Sequence, residues 1–196
     1  MMAPSPAREW QWSDEAACAA CAAALATRLA ACRAADAAGA DVAIELHGPL
    51  GAGKTTFVRH LLRALGVRGR IKSPTYTIVE PYHVDTEADN DAGGGEGAGG
   101  TGQGASRDRD RGASRGTGGL DISHFDFYRF ADARELVDAG LRETFAAPGL
   151  KLVEWPAHAA AWLPPADLRL EIEPQADESR RVRVRALTPR GVALLG

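Results

Sequence analysis

Hydrophobic and polar positions along the chain follow helical and strand-like periods in turn, and together they predict a mixed α/β protein. An alanine-rich segment over 13–38 is typical of a helix, with Ser13 as its cap and Gly39 at its end. The short run 41–48, rich in β-branched residues, predicts a strand. Residues 54–65 place apolar side chains at helical spacing and therefore predict a second helix.

The part of the chain after the second helix predicts mainly strands. Apolar runs over 120–130 and 149–156 are typical of buried strands, with a short helix expected between them over 131–141. The segments 167–174 and 180–187 alternate apolar and polar residues, so they predict a hairpin of half-exposed strands.

Residues 86–119 interrupt this pattern. They hold 12 of the chain's 22 glycines and almost no apolar side chains. Such a composition cannot bury enough surface to offset its conformational entropy, so the segment is expected to be a disordered insertion in a surface loop. A nucleic-acid-binding arm is the alternative, but acidic residues alternate with its arginines and aromatic residues are absent.

The charge and the N-terminal sequence bear on partners and location. The chain of 196 residues has a formal net charge of -3, whereas proteins that bind nucleic acid through its phosphates usually carry a basic excess. A partner is therefore expected to supply most of any RNA contact. No signal peptide and no run of roughly 18 apolar residues is recognisable, so a cytoplasmic protein without a membrane span is expected.

The three cysteines all lie in the alanine-rich segment, where Cys18 and Cys21 form a C-x-x-C pair. Together with Cys32 and Leu25 they fall in one helical stripe, which favours simple burial. A metal or redox site is the alternative, but no second pair of cysteines or histidines completes a zinc set.

The stretch GPLGAGKTT, residues 48–56, matches the pattern G-x-x-x-x-G-K-[ST] between a predicted strand and a predicted helix. Glycines let successive backbone N–H groups point at phosphate oxygens, and the following helix adds its positive N-terminus. Lys54 is expected to reach the β- and γ-phosphates, and the Thr55 hydroxyl to bind Mg²⁺. The flanking elements disfavour an ordinary glycine-rich turn.

A magnesium site in such a protein also needs an acid at the end of a neighbouring strand, and Asp126 and Glu154 are the two candidates. The residues leave open which of them contacts the metal, or whether either is merely a solvated strand-end carboxylate. Thr75 and Thr77 lie where other proteins sense the γ-phosphate, or are ordinary turn residues. Arg129 is either an arginine finger or a structural ion-pair partner.

Strand, glycine loop and helix in this order predict the α/β class: a P-loop NTPase-like three-layer fold in one domain over 1–196. Its central sheet is expected to be mostly parallel, with antiparallel C-terminal edge strands. ATP is favoured over GTP, because the only asparagine, Asn90, lies in the glycine-rich segment and no guanine-reading N-K-x-D motif is present. ATP hydrolysis, a small-molecule kinase and a regulator that binds ATP without hydrolysis remain open.

Several stretches together resemble the bacterial TsaE family, small ATPases of the tRNA threonylcarbamoyladenosine pathway. In chain order they are GPLGAGKTTFVRHLLRALG, KSPTYTIVEPY, HFDFYRF, EL…AGL and LVEWP. The resemblance covers essentially the whole chain except residues 86–119 and the first ten. SPTYT, HFDFYR and EWP are far more specific than the glycine loop.

The resemblance implies an ATPase that uses Mg²⁺ and acts on the transfer enzyme TsaD and its companion TsaB. It implies that ATP hydrolysis is needed for repeated modification of the adenosine next to the anticodon, that the partners hold the tRNA, and that the protein does not itself transfer the threonylcarbamoyl group. Because no arginine finger is evident, the activity is expected to be weak in isolation and to rise with these partners.

The resemblance also assigns roles to individual residues. Glu154 matches the magnesium-associated acid, Asp126 a second functional carboxylate, and Trp155 lies near the nucleotide in such proteins. The expected catalytic residues are thus Lys54, Asp126 and Glu154, and the expected metal ligands are Thr55 and Glu154. The expected nucleotide-binding residues are Gly48, Pro49, Leu50, Gly51, Ala52, Gly53, Lys54, Thr55, Thr56 and Trp155.

Overall fold

The structure, a computed structural model, describes residues 6–35, 41–74, 77–85, 119–129 and 141–196. The predicted insertion over 86–119 lies outside the described residues except for Gly119, and the predicted helix 131–141 lies outside them except for Leu141. Gly39 and Thr75 are also outside, so the predictions made for them stay predictions.

Within these ranges, seven strands form one mixed sheet with the spatial order β1-β7-β6-β2-β5-β4-β3. In chain order they are β1 (Ala7–Trp12), β2 (Val42–His47), β3 (Val79–Val84), β4 (Leu120–Asp126), β5 (Leu150–Glu154), β6 (Leu168–Pro174) and β7 (Arg180–Ala186). The helices of the described residues are α1 (Glu15–Ala35), α2 (Lys54–Ala64), α3 (Leu141–Ala146) and α4 (Pro189–Leu195), with a 3₁₀ helix at Pro156–Ala159.

The centre of the sheet is parallel and both edges are antiparallel. Strands β6, β2, β5 and β4 run parallel to one another, and the predicted hairpin is confirmed as the antiparallel pair β6–β7. Two further antiparallel pairs, β1–β7 and β3–β4, were not predicted. The sheet is therefore parallel in its four central strands, as predicted, but antiparallel at more places along its edges than the sequence indicated.

The sequences of β1 and β3 explain why the first strand was not recognised and why the second lies at an edge of the sheet. In β1, Trp10 and Trp12 pack against the core while Gln11 between them is exposed, which is strand alternation over a stretch too short to stand out. In β3, Pro81 cannot donate to a ladder hydrogen bond, and such residues are confined to edge strands or bulges.

The hydrophobic core lies mainly on the helix-covered face of the sheet. Alternate residues of the strands, such as Ile44, Leu152 and Leu170, pack there with α1, α2 and α4. A smaller cluster combines Phe125 and Val153 of the sheet with α3 and the 3₁₀ helix. Alternation places this smaller cluster on the opposite face, where the outward side of β6 and β7 carries Arg–Glu pairs instead of a helix layer. Within the described residues the third layer is thus confined to β4 and β5.

Helix α1 explains the cysteine pattern. Its 21 residues are long and apolar enough, by length and composition, to cross a membrane, but its buried residues Cys18, Ala22, Leu25, Ala26 and Leu29 join the core. Cys21 and Cys32 pack against the same cluster, and all three cysteines are free thiols. The buried-stripe interpretation is therefore confirmed, and the described residues contain no cluster of three or more metal-ligating side chains. The cap of α1 is Asp14, which accepts from the Ala17 backbone N–H at 2.8 Å, rather than Ser13.

Candidate functional site

The loop between β2 and α2 has a path that requires glycine. Gly48, Gly51 and Gly53 have positive φ angles of 147°, 77° and 106°. A Cβ on Gly48 would lie 2.5 Å from the Ile172 carbonyl oxygen, so this position also needs glycine for space. Gly53 precedes α2 and has no side chain to cap it. The first backbone N–H groups of the helix are thus left to bind an anion.

Lys54 is folded into this loop. Its side chain is buried, and Nζ donates to the carbonyl oxygens of Gly48 and Pro49 at 2.7 and 2.8 Å. Burial lowers the pKa of Lys54, while the negative charges of Glu154 and Asp126 act in the opposite direction. The loop therefore holds a cationic group on its inner side, close to two carboxylates.

Glu154 lies at the end of β5 and contacts the first turn of α2. Its Oε2 accepts a hydrogen bond from the Thr55 hydroxyl at 2.9 Å, and its Oε1 lies 2.9 Å from Nε2 of His124. Glu154 is 2% exposed. The two residues predicted as metal ligands, 99 positions apart in the chain, are thus direct neighbours.

Asp126 ends β4 and is the residue paired with Glu154 across the parallel strands. Its Oδ1 accepts from the Tyr128 backbone N–H at 3.0 Å. Burial raises the pKa of Asp126 and the charge of Glu154 raises it further, against the opposing effect of the Tyr128 hydrogen bond. The Asp126 backbone N–H donates to the Ile78 carbonyl at 2.9 Å, which links this strand end to the exposed turn that contains Thr77.

Trp155 forms one wall of the site. The Lys54 ammonium lies 4.0 Å from the centroid of its ring, and the rings of Tyr128 and His158 lie 4.9 and 5.8 Å from it. Trp155 has a φ of 56°, and nearby Ile78 has a φ of 63°. Left-handed backbone is costly for such residues, by about 1–3 kcal/mol each, and strain of this kind concentrates at functional sites.

The remaining predicted residues occupy different environments. Leu50, at the tip of the loop, is 72% exposed, whereas Ala52 is fully buried beneath it. Thr56 is half-buried in the first turn of α2. These three positions therefore belong to the loop and helix start, and Thr55, the second residue of α2, is the one whose side chain bonds to Glu154.

Three residues of the site were not predicted as its members. His124 contacts Glu154, the Tyr128 ring lies tilted against Trp155, and His158 binds the Phe127 carbonyl oxygen through Nδ1 at 2.8 Å. A signal existed for His124, because it lies two residues before Asp126 and therefore points to the same face of the strand. For His158 the sequence contains no comparable signal.

Comparison with known proteins assigns the family. The family model of the threonylcarbamoyl adenosine biosynthesis protein TsaE matches residues 12–90 and 113–182. The tRNA threonylcarbamoyladenosine biosynthesis protein TsaE of Haemophilus influenzae is 33% identical over 150 residues, 76% of this chain and 73% of that protein. The protein of the same name from Bacillus subtilis is 32% identical over 144 residues, 74% of this chain and 69% of its own.

A solved structure agrees on the fold. The crystal structure of Bacillus subtilis YdiB superposes with a TM-score of 0.63 at 24% identity, covering 99% of this chain and 95% of that one. The residues matched by the family model include the glycine loop, both strand-end carboxylates and Trp155. The chain therefore belongs to the TsaE family of tRNA threonylcarbamoyladenosine biosynthesis.

Proposed function

We propose that this protein is a Mg²⁺-dependent ATPase whose hydrolysis supports repeated rounds of tRNA threonylcarbamoyladenosine formation by a TsaD–TsaB complex. The observation that carries the proposal is the hydrogen bond of the Thr55 hydroxyl to Glu154, beside the buried ammonium of Lys54. A hydroxyl and a carboxylate next to a lysine-bearing glycine loop are the groups that phosphoryl-transfer sites of this type use.

The loop residues suit the binding of phosphate. Positive φ angles at Gly48, Gly51 and Gly53 turn the backbone around the Lys54 ammonium. Apart from the adjoining residues, no atom lies within 4 Å of the position that a Cβ would take at Gly51 or Gly53, so a phosphate group can approach the backbone closely there. We assign to Lys54 the role of a point charge on the terminal phosphates of ATP.

The donor set at Thr55 and Glu154 suits Mg²⁺. Hydroxyl and carboxylate oxygens are the ligands that this ion prefers, and a site with one or two protein oxygens leaves its other positions for phosphate and water. When bound, Mg²⁺ supplies charge neutralisation on the phosphates during hydrolysis. The chain's own part is to hold the two oxygens together through the 2.9 Å hydrogen bond.

Asp126 and Trp155 are assigned the remaining roles. Asp126 is a half-buried acceptor next to Glu154 with a raised pKa, which suits a group that orients an attacking water molecule through a hydrogen bond. Trp155 covers the Lys54 side of the site and excludes bulk water from it. Neither residue forms a covalent intermediate in this proposal.

The partners are expected to carry the tRNA. Three of the four arginines of β7 pair with glutamates: Arg181 with Glu173, Arg185 with Glu171, and Arg183 with Glu9. This row of basic residues is therefore neutralised rather than free to bind phosphates. We therefore assign the tRNA contacts to a TsaD–TsaB partner rather than to a surface of this protein. We also propose a cytoplasmic location, where tRNA is modified.

Product analysis with γ-labelled ATP tests this function directly. Incubated with Mg²⁺ and the TsaD–TsaB pair, the protein should release labelled inorganic phosphate into water. Label on an acceptor molecule would instead indicate a kinase, and bound but uncleaved ATP a docking regulator. Thr55→Ser, which keeps the hydroxyl, is the matched control for Thr55→Ala, which removes it and should stop the release.

A further inference from the structure

We propose that His124 is a positioning residue for the metal-binding carboxylate: it anchors Oε1 of Glu154 so that Oε2 is directed at Thr55. This inference rests on the proposed function, since a metal-facing role for Glu154 is part of that function. It adds a residue to the site that contacts neither nucleotide nor metal and acts only through Glu154.

The contact is fully enclosed by protein. His124 is 0% exposed and Glu154 is 2% exposed. The His124 Nε2 and Glu154 Oε1 atoms are 2.9 Å apart, while Oε2 receives the Thr55 hydroxyl at the same distance. Each carboxylate oxygen thus has its own partner, and these two partners come from different elements of the fold.

Strand register explains how His124 reaches Glu154. In the parallel pair β4–β5, His124 is paired with Leu152 and Asp126 with Glu154. Because side chains alternate along a strand, all four residues point to the same face of the sheet. His124 therefore lies one step further into the core than Glu154, on the side away from the end of the strand, and supports the carboxylate from below.

Among the described residues, the side chain of His124 makes no second hydrogen bond. Its Nδ1 is buried and has no hydrogen-bond partner there. Since a carboxylate oxygen accepts, Nε2 is the donor of this contact. An apolar side chain would suit this buried strand position better if packing were all that mattered. The one polar contact, to Glu154, is thus what the imidazole contributes.

The contact from His124 matters because Thr55, the other hydrogen-bond partner of Glu154, also has to bind the metal. Thr55 is itself a proposed metal ligand and lies on α2, so it does not hold Glu154 independently of the metal. His124 lies in the sheet with Glu154 and fixes the carboxylate plane whether or not the site is loaded. Residues that orient metal ligands in this way typically contribute about 10- to 100-fold to metal affinity.

Metal binding to the full-length protein in complex with ADP tests the inference without an activity measurement. Mn²⁺ is used as the probe for the Mg²⁺ position and followed by the loss of its free-ion EPR signal, and ADP affinity is measured separately in EDTA. His124→Leu removes the donor, and His124→Gln keeps an N–H donor on a side chain of similar length. His83→Leu is the matched control, because it removes an exposed histidine that contacts Asp121 at 2.8 Å.

His124→Leu should weaken Mn²⁺ binding at least about tenfold while metal-free ADP affinity stays within about twofold. His124→Gln should recover most of the metal affinity, and His83→Leu should match the wild type. Unchanged Mn²⁺ affinity in His124→Leu, or an equal loss of metal-free ADP affinity, would overturn the positioning role.

The wild-type protein offers a second test if the leucine variant does not fold. Imidazole ¹⁵N shifts of His124 in the nucleotide-free protein should report a proton on Nε2; an Nε2 without a proton would refute the contact. The same measurement separates the two proposals. If the wild type binds no ADP, the proposed function fails, yet the ¹⁵N shifts still decide whether His124 anchors Glu154.

Discussion

The ammonium of Lys54 lies 4.0 Å from the centroid of the Trp155 ring. This cation–π contact joins the glycine loop at the start of α2 to the residue that follows the acid at the end of β5. Trp155 is therefore a fluorophore within the candidate site, next to the group assigned to the phosphates.

Nucleotide binding should change the fluorescence of Trp155. The Lys54 ammonium is expected to shift towards the phosphates, which alters the field on the indole ring. ATP addition should thus change the emission of the wild type, and Trp155→Phe should remove most of that change. The other tryptophans, Trp10, Trp12 and Trp162, remain as an internal reference. An ATP-induced signal of full size in the variant would locate the responsive tryptophan elsewhere.

Removing the charge of Lys54 should abolish hydrolysis. Lys54→Ala takes away a buried cation that is preorganised by two loop carbonyls, and losses of such electrostatic groups typically lower the rate about 100- to 1000-fold. Phosphate release in the presence of TsaD and TsaB measures the effect. Arg63→Ala is the control, because it removes an exposed cation from the last turn of the same helix and should leave ATP hydrolysis normal. Wild-type turnover by Lys54→Ala would refute the phosphate role of the loop.

Substitutions at the start of α4 should lower the stability of the protein. Thr188 caps this helix through the Gly191 backbone N–H at 3.1 Å, and its hydroxyl also donates to Asp167. A Cβ on Gly191 would overlap the Asp167 carbonyl oxygen.

Gly191→Ala is therefore expected to lower the free energy of unfolding by about 1–3 kcal/mol, and Thr188→Ala by about 1 kcal/mol. Urea denaturation measures both changes, with Thr188→Ser as the control that keeps the cap. If Gly191→Ala is as stable as the wild type, Gly191 does not pack closely against the Asp167 carbonyl oxygen.

Cys18 should resist alkylation in the folded protein. Burial raises the pKa of its thiol from 9.0 to about 12, so at mildly alkaline pH the reactive thiolate is on the order of a thousandfold scarcer than for an ordinary cysteine. Iodoacetamide labelling followed by peptide mass spectrometry should find Cys18 protected in the native protein and labelled in urea. Labelling at equal rates in both would contradict the burial.

The same pKa shift has a consequence for stability at high pH. Because the pKa is raised in the folded state, the neutral thiol contributes its full stability below about pH 9. That contribution should be lost as the pH rises towards 12. Urea midpoints measured across this range should fall, and a midpoint independent of pH above 9 would argue against a buried Cys18.

Strong local sequence patterns predicted most of the helices and strands. The spacing of apolar residues predicted α2 within one residue of its observed end at Ala64, and β5 ends at Glu154 as predicted. Strand β1 and helix α4 were missed, because six or seven residues give little periodicity and their positions depend on tertiary contacts with β7. The antiparallel edge at β3 likewise depends on pairing with β4, which the pattern of a single strand does not encode.

The candidate site was predictable where it follows from motif and strand ends. The glycine-loop motif identified Lys54 and Thr55 as site residues. Because parallel strands end at the same edge of a sheet, Asp126 and Glu154 were predicted to lie beside this loop. The His124 contact with Glu154 was not predicted, because it depends on the register of β4 against β5 and on burial. The left-handed backbone of Trp155 is a property of the strand-to-helix turn and has no sequence signature.

We propose that ATP turnover at this site sustains repeated tRNA modification. The most direct test is the amount of modified tRNA formed per TsaD under multiple-turnover conditions, with ATP, TsaB and either wild-type protein or Glu154→Ala. Glu154→Ala removes the partner of Thr55 and His124 while the glycine loop stays intact. We predict many modified tRNA molecules per TsaD with the wild type and no more than a single round with the variant, even though the variant still binds ATP. Full turnover with Glu154→Ala would contradict the coupling of ATP hydrolysis to repeated tRNA modification.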